Sequence, residues 1–225
     1  LLLEQRSKLG GELNNDSNQG LETETKDVEL KSKLNLFNKI YFNLKKYKNL
    51  KIVTNTNVFA YMHYNYLLAS QNINNKNVRQ IIWKIRAKQV VLATGSIERP
   101  LIFNNNDRPG IMLSHSARNY SNRNINLGKN IILFTNNDYA YQAAIDFKNK
   151  DNSINILVVD IRKNSEGDIV KKSKKLGINI LFNHVISNTF GRKKINSVRI
   201  HKIDDETNQI IDSYGKIHCD LLCVS

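Results

Sequence analysis

The chain has 225 residues, 40% of them hydrophobic and 24% charged, with a formal net charge of +14. It is long enough to bury a substantial core, and no apolar run approaches the roughly 20 residues a membrane-spanning helix needs. The charge comes from 24 Lys and only 10 Arg, set among 33 Asn and spread along the whole chain. Solvated faces account for it better than a phosphate-binding patch does, so nucleic acid is not expected as a partner.

The first segment reads as a buried strand, Leu1 to Leu3, ending at Glu4, with a turn at Gly10-Gly11. The three leucines have no charged leader before them, and the chain ends inside the apolar run "CDLLCVS"; it is read as an internal fragment, cytoplasmic, of something longer. Residues 14–27 are polar and predict a loop. From Val28 to Lys48 the apolar positions Leu30, Leu34, Phe37, Tyr41, Leu44 and Tyr47 recur at helical spacing and predict an amphipathic helix packed on a sheet. The pieces "KIVTNTNVFAY", "YNYLLASQNI" and "RQIIWKIRAK" predict a small antiparallel meander. "QVVLAT", apolar and bounded by Gly95, suits a fully buried parallel strand.

Residues 113–124 predict a helix that opens a second unit. "KNIILFTNNDYAYQAAIDF" reads as strand, tight turn and helix; "SINILVVD", "SEGDIVKKSKKLG" and "INILFNHVI" continue as strand, helix and strand. A hairpin and a last buried strand follow. Strand–helix alternation of this kind gives an α/β fold with a parallel sheet. The fold expected is Rossmann-like and FAD/NAD(P)-binding: two interleaved dinucleotide-binding units with a small β-meander, the first truncated at its N-terminus. The boundaries expected are 1–112 for the first unit, 113–204 for the second and 205–225 for a strand returning to the first.

In such folds a small-residue turn after a strand lets a pyrophosphate approach the backbone, and an acidic residue at the end of the next strand takes the ribose hydroxyls. In the first unit Glu4 stands at the ribose-reading place, and Gly10 and Gly11 can let the chain pass beside the pyrophosphate. Val58 falls where such folds contact an adenine, and Ala93, Thr94 and Gly95 would wall the site. In the second unit Thr135, Asn137 and Ala140 stand at the three small-residue positions, and only Ala140 is small. Asp138 lies in that turn, and Asp160 ends the next strand, 22 positions on. Its readings are a ribose acceptor or a strand-end carboxylate beside Arg162. A side chain at Asn137 would crowd a pyrophosphate. Glu98 and Arg99 read as ligand contacts or as partners of neighbouring loops.

Cys219 and Cys223 sit four apart in one apolar strand-like segment, a spacing that puts both on the same face, and read as structural thiols. They form neither a redox Cys-x-x-Cys nor a metal site. His63, His115, His184, His201 and His218 are dispersed, and no nucleophile or acid/base pair presents itself. No catalytic or metal-binding residue is named.

The runs "WKIRAKQVVLATGSIERPLIFNNNDRPGIM", "LFTNNDYAYQAA" and "CDLLCVS" strongly resemble the α subunit of heterotetrameric sarcosine oxidase. The "TNNDYAY" turn is the most specific piece, departing from the glycine fingerprint as that family does. The resemblance implies NAD held noncovalently in this subunit, FAD on a β subunit and a covalent FMN at the interface of the two, with smaller γ and δ subunits. It implies oxidative demethylation of sarcosine to glycine, formaldehyde and hydrogen peroxide, with the amine oxidised on the β side. Two alternatives stand beside it: a related amine or amino-acid dehydrogenase α subunit acting on proline, an opine or a glycine derivative, and a non-catalytic scaffold that has lost its nucleotide.

Overall fold

The computed structural model describes residues 1–11, 28–73, 75, 77–204, 206–207 and 209–225, the stretch 28–35 by its backbone alone. The loop expected over 14–27 lies outside the described residues. Contacts divide the chain into Leu1–Gly95 and Ser96–Ser225. Residues 96–112 therefore lie with the second unit, not the first.

The first unit opens on a βαβ crossover. Strand β1 (Leu2–Leu3) pairs in parallel with β2 (Ile52–Val53), and helix α1 (Val28–Leu44) lies between them in the chain. Of the apolar stripe, Phe37 and Leu44 are half-buried while Tyr41 and Tyr47 are exposed, and Leu36, Ile40 and Phe42 beside it are exposed too. The expected burial of this helix on a sheet is thus only partial.

Strands β3 (Thr56–Met62), β4 (Tyr66–Asn72) and β5 (Gln80–Arg86) form the antiparallel meander in sequence order. Leu67 and Ala69, two apart on β4, point to the same buried side, as the two-residue period of a strand requires. The Trp83 indole N–H donates to Gln71 Oε1 across the β4–β5 ladder at 3.0 Å.

The "QVVLAT" run does not form the buried strand expected of it. Residues 91–97 are exposed and outside any strand, Val91 to 88% and Leu92 to 70%. A buried parallel strand takes hydrogen bonds and apolar contacts from its neighbours on the sheet. Among the described residues the parallel ladder of this unit is only two residue pairs long, and no strand of it lies beside Val90 to Thr94.

The second unit is built on a five-stranded parallel sheet in the order β6-β13-β7-β8-β9. Its strands are β6 (Ile111–Leu113), β7 (Asn130–Thr135), β8 (Asn155–Asp160), β9 (Asn179–Phe182) and β13 (Leu221–Val224). Helices α2 (Ser114–Asn122), α3 (Tyr139–Lys150) and α4 (Asp168–Lys175) follow β6, β7 and β8. A three-stranded antiparallel sheet, β10 (His184–Phe190), β11 (Ser197–Ile203) and β12 (Ile210–His218), completes it.

Strand β7 shows how one short sequence serves two cores. Ile131 and Leu133 pack with α3 residues such as Ala143, Ala144 and Phe147. Ile132 and Phe134 pack with Ile186, Val198 and Ile200 of the antiparallel sheet. Because alternate side chains face opposite sides, a strand apolar at every position is buried on both.

Three expectations are corrected here. "INILFNHVI" is two strands, broken at Asn183, whose φ of +58° suits a residue that tolerates the left-handed region. Strand β13 does not return to the first unit; it lies between β6 and β7. Cys219 and Cys223 do not share a face: Cys219 precedes β13 and joins the core under the antiparallel sheet, while Cys223 faces the helices. Both thiols are free and fully buried, and burial pushes the Cys219 thiol up to about 12. Neither should react with a disulfide reagent at about pH 8, and both should react once the chain is unfolded; a thiol count under the two conditions checks this.

The entry to β13 is fixed by Asp220. Its carboxylate Oδ2 accepts the backbone N–H groups of Lys129 and Asn130, each at 2.9 Å, and Asn130 Nδ2 at 3.2 Å. Gly128 allows the approach: its φ is +97°, and an added Cβ would stand 2.5 Å from Asp220 Cβ. The Asn130 amide above all holds the Asp220 carboxyl below the usual carboxylate range. A depressed folded pKa stabilises above the unfolded value, and that contribution is lost as pH falls through the folded pKa. Asp220→Ala should therefore cost roughly 2 kcal/mol near neutrality and much less in acid, measured by urea unfolding at several pH values.

Candidate nucleotide sites

In the first unit the end of β1 leans on the β2–β3 corner. The Glu4 N–H donates to the Val53 carbonyl and the Glu4 carbonyl accepts from the Thr56 N–H, both at 2.9 Å. Glu4 Oε1 accepts the Arg6 N–H at 2.8 Å, and Arg6 Nη1 reaches on to the Gly11 carbonyl at 2.8 Å. The Arg6 carbonyl accepts the Asn55 N–H at 3.0 Å. This short loop thus brings Glu4, Gly10 and Gly11 together at the carboxyl end of a parallel strand.

Gly10 and Gly11 have φ of +118° and +51°, and a Cβ added at Gly11 would meet nothing within 4 Å. Glycine is required there by backbone conformation, and among the described residues nothing fills the space beside Gly11. Val58 lies on the neighbouring β3, paired with Ala69 and 40% exposed. Ala93, Thr94 and Gly95 are exposed, and among the described residues no strand ladder joins them to Glu4 or Gly11. Sequence reasoning missed Arg6, whose role shows only once the loop has folded back on itself.

In the second unit the β7–α3 turn is made without its glycines. The Asn137 N–H donates to Thr135 Oγ1 at 3.1 Å, and that hydroxyl donates to the Asn137 carbonyl at 2.9 Å. Asn137 Oδ1 accepts the Tyr139 N–H at 2.9 Å and the Ser225 hydroxyl at 3.3 Å. Side-chain bonds to the backbone do here what positive-φ glycine does elsewhere.

Asp138 and Asp160 are brought together by Arg162. Asp160 is fully buried at the end of β8. Its Oδ1 accepts from the Arg162 backbone N–H and Nε, each at 3.0 Å. Its Oδ2 accepts from Arg162 Nη2 at 2.8 Å and from the Tyr141 hydroxyl at 2.7 Å. Arg162 Nη2 also pairs with Asp138 Oδ1 at 2.8 Å. Burial, then the Asp160 hydrogen bond, pushes the Tyr141 hydroxyl far above its ordinary value, and Asp160 raises the Arg162 guanidinium further. Tyr141 and the Asp138–Arg162 pair were not foreseen from the sequence.

Glu98 is held by its own chain: Oε2 accepts the His115 N–H at 2.8 Å in the first turn of α2. Cavities of about 330 Å³ beside Lys163 and Lys202 and about 240 Å³ beside Gly128 and Lys150 open on this unit, and neither is lined by an expected cofactor residue.

No family model matches the chain. It is 34% identical over 181 residues to sarcosine oxidase subunit alpha of Corynebacterium sp. (strain U-96), covering 76% of this chain and 18% of that protein. It is 54% identical over 69 residues to the same subunit of Corynebacterium sp. (strain P-1), covering 30% of this chain and 7% of the relative. To the subunit of Rhizobium meliloti (strain 1021) it is 29% identical over 167 residues, 70% of this chain and 16% of the relative. The chain therefore spans less than a fifth of the curated relatives it matches.

Among solved structures, the thioredoxin reductase of T. acidophilum superposes with a TM-score of 0.64 at 17% identity, covering 99% of this chain and 66% of that one. The NAD-dependent persulfide reductase of A. fulgidus gives 0.55 at 13% identity, covering 80% and 32%. At such identities the likeness concerns fold alone. By sequence the chain is a homologue of a segment of sarcosine oxidase subunit alpha, carried on the fold of the FAD/NAD(P)-binding oxidoreductases.

Proposed function

We propose that this chain is the NAD-holding portion of a sarcosine-oxidase-type α subunit, with the nucleotide in the first unit. The observation that carries the reading is the Glu4–Arg6–Gly11 loop at the carboxyl end of β1 in a βαβ crossover. That is where open α/β sheets take dinucleotides. The residues fit the group: Glu4 supplies a carboxylate for the ribose hydroxyls, and Gly10 and Gly11 expose backbone with free space beside Gly11. Val58 lends backbone groups to the adenine, and Ala93 to Gly95 wall the nucleotide. A bound nicotinamide dinucleotide supplies a hydride acceptor; the residues here bind and orient it and move no proton themselves.

In the whole protein this segment serves the oxidation of sarcosine by water and dioxygen to glycine, formaldehyde and hydrogen peroxide. FAD on a β subunit and a covalent FMN at the interface with it carry the chemistry, with γ and δ subunits completing a cytoplasmic complex. The relatives' names support the α-subunit reading. Acid extraction of the purified full-length protein should release NAD. Glu4→Ala removes a charged hydrogen-bond acceptor and should weaken retention about tenfold or more. Retention equal to the unsubstituted protein would overturn the assignment.

A further inference from the structure

We infer that the nucleotide crevice of the second unit is filled by the chain's own side chains, so that the protein takes one dinucleotide per chain. The inference rests on the reading of the first unit given above. A dinucleotide crevice in an open α/β sheet offers three things: helix N-terminal amides for the pyrophosphate, a strand-end carboxylate for the ribose, and room above the turn. In the second unit the first helix amide and the strand-end carboxylate are already used, and the turn carries an anion of its own.

The first amide of α3, on Tyr139, donates to Asn137 Oδ1 at 2.9 Å. The Asn137 side chain also stands at the turn position that must lack one if a pyrophosphate is to lie against the backbone. The strand-end carboxylate, Asp160, has no exposed surface. A carboxylate has about four lone-pair sites. Four donors fill them here: the Arg162 N–H, Nε and Nη2, and the Tyr141 hydroxyl. None is left for a ribose.

The turn is also charged against a phosphate. Asp138, just before α3, sets an anion where a phosphate would be attracted, and Arg162 is bound to it as well as to Asp160. From the β8–α4 loop, Ser165 Oγ lies 3.4 Å from Asp138 Oδ1, and the Gly167 Cβ position is 3.0 Å from Asp138 Oδ2. Arg162 thus bridges the ribose and phosphate positions, as a cofactor would, and ties β8 to the β7–α3 turn.

Equilibrium dialysis of the full-length protein against labelled NAD and NADP tests this. Asn136 is exposed at the mouth of the turn, so Asn136→Trp obstructs the crevice without touching the core. One nucleotide per chain, kept in Asn136→Trp and reduced about tenfold or more in affinity by Glu4→Ala, is the expected result. Two per chain, one of them lost in Asn136→Trp, would overturn the inference and leave the first-unit reading standing; a single nucleotide lost in Asn136→Trp would overturn both. One nucleotide indifferent to both substitutions, or none at all, would overturn the first-unit reading while the filled second crevice stands.

Discussion

Arg118→Ala should destabilise the second unit by roughly 3–5 kcal/mol, among the largest losses any single substitution here can cause. Arg118 on α2 pairs with Asp146 on α3, and only 8% and 4% of the two residues are exposed. Gln142 Nε2 donates to the other carboxylate oxygen at 2.8 Å. Removing the guanidinium leaves a buried carboxylate with one neutral donor, which is far worse than never having buried it. The double substitution Arg118→Met with Asp146→Leu should recover most of the loss, because apolar side chains of similar volume need no partner there. Urea denaturation of the single and double variants measures both. A loss below about 1 kcal/mol for Arg118→Ala would mean that the pair is solvated, as exposed pairs are.

The second large effect is expected at Arg162. Arg162→Ala takes both guanidinium donors, Nε and Nη2, from Asp160 and leaves it the backbone N–H of residue 162 and the Tyr141 hydroxyl. The loop that presents this N–H also loses its tie to Asp138, which the same guanidinium supplies. With Asp160 wholly buried, the cost should again be roughly 3–5 kcal/mol. Adding Asp160→Asn removes the stranded charge and should return part of it. Tyr141→Phe alone, by contrast, deletes one donor to a carboxylate that keeps its cation and should cost about 1–2 kcal/mol. Melting curves of the three variants rank these effects. Equal losses for Arg162→Ala and Tyr141→Phe would show that the guanidinium is not the main partner of Asp160.

Much of the second unit was legible in the sequence. Strands with unbroken apolar runs, such as "IILF" and "ILVV", alternate with helical runs closed by turn residues, and parallel sheets are written that way. What failed did so for physical reasons. "QVVLAT" has the composition of a buried strand, but composition cannot show that no neighbouring strand lies beside it. The spacing of Cys219 and Cys223 predicts a shared face only if both residues lie in one strand, and the chain turns at Asp220 between them.

The candidate sites were legible as positions more than as partners. Glu4 and Gly11 could be placed by order along the chain, whereas Arg6 acts through a contact five residues on that no periodicity encodes. Asp160 with Arg162 could be suspected as a local pair. That Asp138, 24 positions away from Arg162, completes it required the β7–α3 turn and the end of β8 to be adjacent in space.

The most direct measurement compares NAD with its analogue lacking the 2′-hydroxyl on the adenosine ribose, bound to the full-length protein with and without Glu4→Ala. If the Glu4 carboxylate receives that hydroxyl, the substitution should weaken NAD about tenfold and leave the deoxy analogue nearly unaffected, a coupling of roughly 1.4 kcal/mol. Equal weakening of both ligands, or of neither, would contradict a ribose-binding Glu4 and with it the placement of the nucleotide in the first unit.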